Sequence, residues 1–196
     1  MPHPFQNSFP ILLLLLLGAA SLTHAQTPEP FKFPGADGRE HLPLAVSTEK
    51  KAVVLCFVSP YCPTSNTFVP ELNRIVADYS GKFAFYLVHA DPDVKLTDVL
   101  QHTEMNEIKA TVLIDKEQKL AKLTQAKITP EVVVLSADSK TTLYQGLIND
   151  LYLGPTKRQR QATTRDLRDA LDAIQSGKPV AQAKTEAVGC KISGMK

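Results

Sequence analysis

Cys62 stands in the stretch Ser59-Pro60-Tyr61-Cys62-Pro63-Thr64-Ser65-Asn66, directly after the apolar run 52–58 and directly before a strongly amphipathic segment. That pattern places a sulfur where a strand hands over to a helix N-terminus. First-turn amides have no intrahelical partner, and the aligned peptide dipoles leave partial positive charge there, so thiolate is favoured over thiol. Such placement lowers a cysteine pKa from ~8.5 to about 3.5–7.5. Thiolate is the form that attacks disulfides and peroxides and that binds soft metals. Flanking Pro60, Tyr61 and Pro63 favour an exposed turn. Thr64 and Ser65 are placed either to hydrogen-bond the sulfur or to cap the helix.

The other cysteines sit in different surroundings. Cys56 lies within the apolar run and reads as inert core. Cys190 lies beyond the last expected helix, on a tail that also contains Gly189 and Gly194. A tail of that kind can swing back across the domain, where the Cys190 thiol would resolve an oxidised Cys62. Spacing fixes no connectivity, so a static bridge that pins the tail and a free thiol that joins two chains remain alternatives. His89 ends the second expected strand, on the sheet edge shared with Cys62. Cys62, His89 and Cys190 together would offer thiolate and imidazole to copper or zinc, although their spacing matches no compact metal signature. The alternative for His89 is a hydrogen-bonded surface residue. Asp91 and Asp93 read as turn and helix-capping residues, and Arg74 as a solvated helix residue.

The elements that must position these groups follow from periodicity. Run 52–58 is continuously apolar, as a central parallel strand covered on both faces requires. A helix starting at Pro63 or Asn66 and ending at Ser80 carries Phe68, Val69, Leu72, Ile75, Val76 and Tyr79 at helical spacing, and Pro70 should kink it. A strand over 83–89, a helix over 93–106, a strand over 111–114 and a helical turn within 115–122 come next. Segments 131–135 and 141–146 read as an antiparallel hairpin, and 164–175 as a final helix. This order gives an α/β sandwich around a central mixed sheet.

Composition bounds the classes. The block 11–17 is apolar, and Thr23-His24-Ala25 offers a cleavage site, so residues 1–25 read as a secretory signal despite the lack of Lys or Arg before the block. The apolar segment is short of the ~20 residues that span a bilayer, so no stable membrane association is expected after cleavage. Residues 26–51 form an N-terminal arm, with a short strand around 41–45. One domain follows over 52–178, and then a flexible tail over 179–196. Formal net charge is +2, which gives no reason to invoke nucleic acid. The basic run Lys157-Arg158-Gln159-Arg160 reads as a solvated loop.

These landmarks together resemble the thioredoxin fold. The likeness is closer to its exported redoxin branch of alkyl-hydroperoxide-reductase-like (thiol-specific antioxidant) proteins, with a redoxin-type insertion. It is carried by Cys62-Pro63 with Ser65-Asn66 and Pro70-Glu71, by His89-Ala90-Asp91-Pro92, and by Ile128-Thr129-Pro130. Tyr144-Gln145-Gly146 and Ala187-Val188-Gly189-Cys190-Lys191-Ile192 complete it. The resemblance implies a cis bond at Thr129-Pro130 facing Cys62, and a substrate groove formed by Pro63, Thr64, Ser65, Thr129 and Pro130. It further implies Cys62 as nucleophile, Cys190 as resolving thiol, no cofactor, a peroxide or disulfide substrate and an extracytoplasmic thiol reductant. Two departures stand out: Ser65 replaces the second cysteine of C-x-x-C, and Leu55 replaces the proline of the peroxidase motif that would lead to Ser59. The chain is therefore expected to be an exported thiol oxidoreductase or peroxidase. A copper chaperone on the same fold and a degenerate redoxin that only binds are the alternatives.

Overall fold

An element apolar at every position needs cover on both faces, and the run that precedes Cys62 receives it. In the computed structural model, which describes Met1, residues 31–45 and residues 49–195, that run lies at the centre of a five-stranded mixed sheet. The chain begins with a small hairpin, β1 (Phe33–Pro34) and β2 (Glu40–His41), and enters the sheet at β3 (Ala52–Phe57). Helix α1 (Pro63–Tyr79) crosses to β4 (Phe83–His89), and α2 (Leu96–Met105) crosses to β5 (Thr111–Ile114). Short α3 (Lys119–Thr124) and two-residue β6 (Ile128–Thr129) lead into β7 (Glu131–Ser136) and β8 (Thr142–Gly146). A ribbon of β9 (Tyr152–Gly154) and β10 (Lys157–Arg158), then α4 (Asp166–Gln175) and β11 (Cys190–Lys191), complete the chain.

Strand order is β5-β4-β3-β7-β8. β3 runs parallel to β4 and antiparallel to β7, with Ala52 opposite both Phe83 and Ser136. Side chains of β3 alternate between two apolar layers, as the period of a strand demands. Val54 and Cys56 pack with Phe68, Leu72 and Ile75 of α1 and with Leu167 and Leu171 of α4. Val53, Leu55 and Phe57 face the opposite layer, which includes Leu120, Ala126 and the tail residue Ile192. The α/β sandwich around a mixed sheet expected from the element order is observed, and it has the thioredoxin-like arrangement that the resemblance implies.

Several boundaries differ from expectation. α2 begins at Leu96 with Lys95 at its cap position, because Asp91 uses its carboxylate to close a turn with the amide of Asp93 (2.9 Å). Thus Asp91 is the turn residue expected, while Asp93 does not cap the helix. α4 starts at Asp166, two residues late, and the strand in the arm is Glu40–His41. Pro70 lies inside α1 and does not end it. The export segment lies outside the described residues apart from Met1. Among the described residues, no helix is long and apolar enough to cross a membrane.

The tail was expected to be flexible, and instead it is fastened at two places. Near Ala183 and Thr185 it pairs with Gln145: the Gln145 amide donates to the Ala183 carbonyl (2.9 Å) and the Thr185 amide donates to the Gln145 carbonyl (3.0 Å). Gly146 permits this approach, because a Cβ there would meet the Thr185 hydroxyl at 2.1 Å. Farther on, β11 pairs antiparallel with β6. Gln118 holds the end: its side-chain amide donates to the carbonyls of Ala90 (3.1 Å) and Ser193 (2.5 Å).

Gln118 is presented by a turn built on a buried carboxylate. Asp115 accepts the amides of Lys119 (2.7 Å), Leu120 (2.9 Å) and Ala121 (3.1 Å), and burial raises its pKa. Removing that acceptor strands buried amides, which costs on the order of 1–3 kcal/mol per group. Asp115→Ala is therefore expected to lower the unfolding free energy by roughly 2–3 kcal/mol in urea titration, with Asp115→Asn recovering part of the loss. Equal stability of Asp115→Ala and the native chain would refute this role.

Candidate active site

The handover from β3 to α1 sets Cys62 at the N-cap of the helix, in extended backbone conformation, with Pro63 in the first helical position. Pro63 costs nothing there, since its missing amide would have no partner. The sulfur itself takes the capping role usually filled by an oxygen. The Ser65 amide donates to Cys62 Sγ at 3.4 Å, and the Thr129 carbonyl oxygen lies 3.1 Å from the same atom. Ser65 does not cap with its hydroxyl, which accepts from the Ser59 amide (3.1 Å) and fastens the turn below the sulfur.

Cys62 is bonded to Cys190, with the two Cα atoms 5.9 Å apart across a sequence separation of 128. The open connectivity is thereby resolved as an intrachain bridge. Cys62 is only 1% exposed, which corrects the expectation of an exposed turn. Its cover comes from the tail and from the loop before Pro130, which approach from a distance in sequence. Cys190 is half-buried. A pocket of about 140 Å³ opens beside the bridge, lined by Ser59, Tyr61, Asp91 and Lys191 among others. Tyr61 is exposed at its rim, and its hydroxyl donates to Asp98 (2.5 Å), which holds the phenol pKa up and the carboxyl pKa down.

Of the groove residues named from sequence, Thr129 lines the pocket beside the bridge, and Pro63, Thr64, Ser65 and Pro130 do not. Thr129-Pro130 is a cis peptide, as the resemblance implies, and Thr129 faces Cys190 in the strand pair. Thr64 and Ser65 are both buried in the first turn of α1. Glu131, which the sequence reading did not single out, holds this loop. Its carboxylate accepts the amides of Lys127 (2.8 Å) and Ile128 (3.1 Å) and the side-chain amide of Gln145 (2.7 Å). Gly189 was not singled out as a site residue either. A Cβ at that position would sit 2.1 Å from the Thr129 carbonyl oxygen and 3.0 Å from Pro130 Cδ.

His89 is not the surface residue expected, nor does it join the sulfurs. It is 1% exposed, packed edge-on against His102 with ring centroids 5.3 Å apart. Neither of its ring nitrogens makes a hydrogen bond. His102 Nε2 meets Asn66 Oδ1 at 3.0 Å, and the Asn66 side-chain amide donates to the Pro60 carbonyl (3.1 Å), which links this core pair to the turn before Cys62. No group of three His, Cys, Asp or Glu able to hold a metal ion occurs among the described residues, so the set Cys62, His89 and Cys190 is not assembled. Arg74 is solvated and paired with Glu71, as expected. Cys56 is buried, and burial pushes its thiol up to about 12, consistent with the inert role read from its position.

The combination of a β3-β4-β5 parallel half, an antiparallel β7-β8 half, a cysteine at the first helix and a cis proline opposite it defines an α/β protein of the thioredoxin-like class. Residues 50–141 match the family model described as Thioredoxin-like. A hypothetical protein of Sinorhizobium meliloti superposes with a TM-score of 0.71 at 25% identity, over 83% of this chain and 89% of that one. An uncharacterized conserved protein of Geobacillus kaustophilus gives 0.72 at 24% identity, over 84% and 88%. A secreted Mycobacterium tuberculosis disulfide oxidoreductase homologous to Escherichia coli DsbE shares the fold, with a TM-score of 0.54 at 18% identity over 74% and 96%. No curated protein sequence matches the chain.

Two outcomes follow. Reducing the bridge frees a loop of more than a hundred residues in the unfolded chain, so dithiothreitol should lower stability by about 2–4 kcal/mol in urea titration. A Cys190→Ser chain should show no such dependence. Secondly, burial and neighbouring His102 depress the His89 pKa from 6.5 to about 3. The unfolded chain takes up that proton near pH 6.5 and the folded chain does not, so this contribution is full above pH 6.5 and is lost as pH falls towards 3. Between pH 6 and 4, His89→Leu should remove about 1.4 kcal/mol per pH unit from the slope of stability against pH. An unchanged slope would show that His89 titrates normally in the fold.

Proposed function

We propose that this chain is a thiol–disulfide oxidoreductase whose redox centre is the Cys62–Cys190 pair. The observation that carries the reading is the seat of Cys62: its sulfur caps α1, receives the Ser65 amide, and is bonded to a tail cysteine paired beside the cis proline. The helix N-terminus and that amide stabilise negative charge on sulfur, as the nucleophilic or leaving thiolate of exchange requires. The fold shared with a secreted disulfide oxidoreductase supports the same class.

In the reduced protein, Cys62 thiolate attacks one sulfur of a substrate disulfide. A Cys62–substrate disulfide forms and the other substrate sulfur leaves as thiolate. Cys190 thiolate then attacks Cys62 Sγ, closing the intrachain bridge and expelling the second substrate thiolate. Two electrons have passed to the substrate, and an extracytoplasmic dithiol reductant must return them by the reverse exchange. The apolar block 11–17 and the cleavage-like Thr23-His24-Ala25 support export, and export agrees with a bridge that persists in an oxidising compartment. Peroxide reduction through the same two sulfurs is the less favoured version, because Leu55 departs from the peroxidase motif and no arginine lines the pocket.

The test is turnover of a disulfide-bonded model protein such as insulin with dithiothreitol as reductant. Cys62→Ser should fall to the uncatalysed rate, while Cys190→Ser should retain the first exchange and accumulate as a mixed disulfide visible by mass spectrometry. Native activity in Cys62→Ser would end the proposal. Stoichiometric hydrogen peroxide added to the reduced protein separates the versions: closure of the bridge faster than by a protein disulfide would select the peroxidase.

A further inference from the structure

Lys157-Arg158-Gln159-Arg160 puts three positive charges into a short run of a chain whose formal net charge is +2. The run is not the solvated loop expected; it belongs to a built ribbon. β10 pairs antiparallel with β9, Lys157 opposite Gly154 and Arg158 opposite Tyr152, and the Gln159 amide donates to the Leu151 carbonyl (2.8 Å). Asp150 holds the base. Its carboxylate accepts the amides of Thr163 (2.6 Å) and Thr164 (2.9 Å) and the side-chain amide of Gln159 (2.9 Å). The neutral member of the run is thus tied down, while Lys157, Arg158 and Arg160 are exposed. Among the described residues, none of these three cations makes an ion pair or a side-chain hydrogen bond. Unpaired like charges on one ribbon repel one another, and an anionic partner both relieves that repulsion and is drawn in by it.

The ribbon is fastened beside the redox centre. Tyr152 packs its ring on Phe68 of α1, with centroids 5.9 Å apart, and its hydroxyl lies 3.3 Å from that of Thr67; α1 is the helix that Cys62 caps. A groove of about 760 Å³ is lined both by Leu153 and Pro155 of the ribbon and by Val188 and Gly189 next to Cys190. Leu153 is exposed there. We propose that the β9–β10 ribbon is the recognition arm for an acidic redox-partner protein, whose anionic face meets Lys157, Arg158 and Arg160 while its sulfurs reach the Cys62–Cys190 pair. This rests on the exchange chemistry above and names the class of partner. Of the carboxylates in the groove, Asp150 and Asp166 are engaged by the hydroxyls of Thr163 and Thr164, and Glu186 belongs to the tail. A protein fits better than an anionic bilayer, because three cations fall short of the roughly 4–8 that hold a chain to a lipid surface.

The experiment uses the full-length reduced chain and two peptides, in which a penta-aspartate or a pentalysine tag is joined by Gly-Gly-Ser to a cysteine carrying a 2-pyridyl disulfide. Cys62 thiolate attacks the peptide sulfur, the Cys62–peptide disulfide forms, and pyridine-2-thione leaves and is followed by absorbance. Each rate is divided by that of cysteine carrying the same group, so that differences at Cys62 itself cancel. The acidic peptide should react at least tenfold faster than the basic one in about 20 mM salt, and the two should converge in about 500 mM salt, as the screening length falls from about 20 Å to about 4 Å. In the Arg158→Glu, Arg160→Glu chain the preference should vanish. Equal rates in low salt, or a preference that survives the double substitution, would overturn the recognition arm and leave the exchange chemistry standing. If the cysteine reagent does not react, the exchange reading falls, and binding decides the arm: the anisotropy of rhodamine-labelled penta-aspartate should rise with the native chain, and the double substitution should weaken that binding at least fivefold. Equal binding by both chains would overturn the arm. Sedimentation with phosphatidylglycerol vesicles without peptide binding would overturn the protein partner in favour of a membrane.

Discussion

A single sulfur serves both as the cap of a helix and as the anchor of a distant strand, and the rest of the structure is arranged to let it do both. α1 must begin at Cys62 for the Ser65 amide to point at Sγ, and β3 must end where it does for α1 to begin there. From the opposite side the tail must reach Thr129, which requires the loop ahead of β7 to be held out by Glu131. The capping contact stabilises negative charge, while the strand pairing supplies the partner that removes it. Neither alone would supply the proposed redox centre: a capped cysteine without the tail has no partner sulfur, and a tail cysteine without the cap is an ordinary cross-link.

The hydrogen-bond network around this sulfur is built largely from main chain. Ser65 donates its amide to the sulfur, the Thr129 carbonyl only lies against it, and Gly189 contributes the absence of a side chain. Side chains act one step back: Ser65 holds the Ser59 amide, Asn66 holds the Pro60 carbonyl, and Gln118 holds the end of the tail. Such a site tolerates Ser65 where the resemblance leads one to expect a second cysteine, because the partner sulfur arrives from outside the helix. In the proposed function, a tail cysteine in place of a local one keeps a two-electron couple while changing what must move for it to open.

How much of this was legible in the sequence depended on the range of the interaction concerned. β3, β4 and β5 were readable because each is a run whose own apolar pattern demands a sheet, and α1 because its apolar face repeats at helical spacing. β6 and β11 were not. Two residues carry no period, and each becomes a strand only because the other lies beside it, some sixty positions away in the chain. The burial of Cys62 was hidden for the same reason, since local sequence shows the turn and not what descends onto it. His89 was misread because a polar residue at a strand end is usually wet, whereas here α2 brings His102 against it. The signals present were small: a glycine directly before the tail cysteine, and a glutamate directly after the cis proline.

The upper fastening of the tail at Ala183 and Thr185 has a kinetic consequence. When the bridge opens, Cys190 does not diffuse away; it hangs five residue steps from Thr185, which at about 3.5 Å per step confines it within roughly 17 Å of its attachment. Short flexible connections of this kind give effective concentrations in the millimolar range or above. In the proposed exchange, a dilute external thiol would compete poorly for the mixed intermediate, and a captured partner would be discharged by the protein's own chain. On that reading, the contact between Gly146 and Thr185, remote from any sulfur, sets how long two proteins would stay covalently joined.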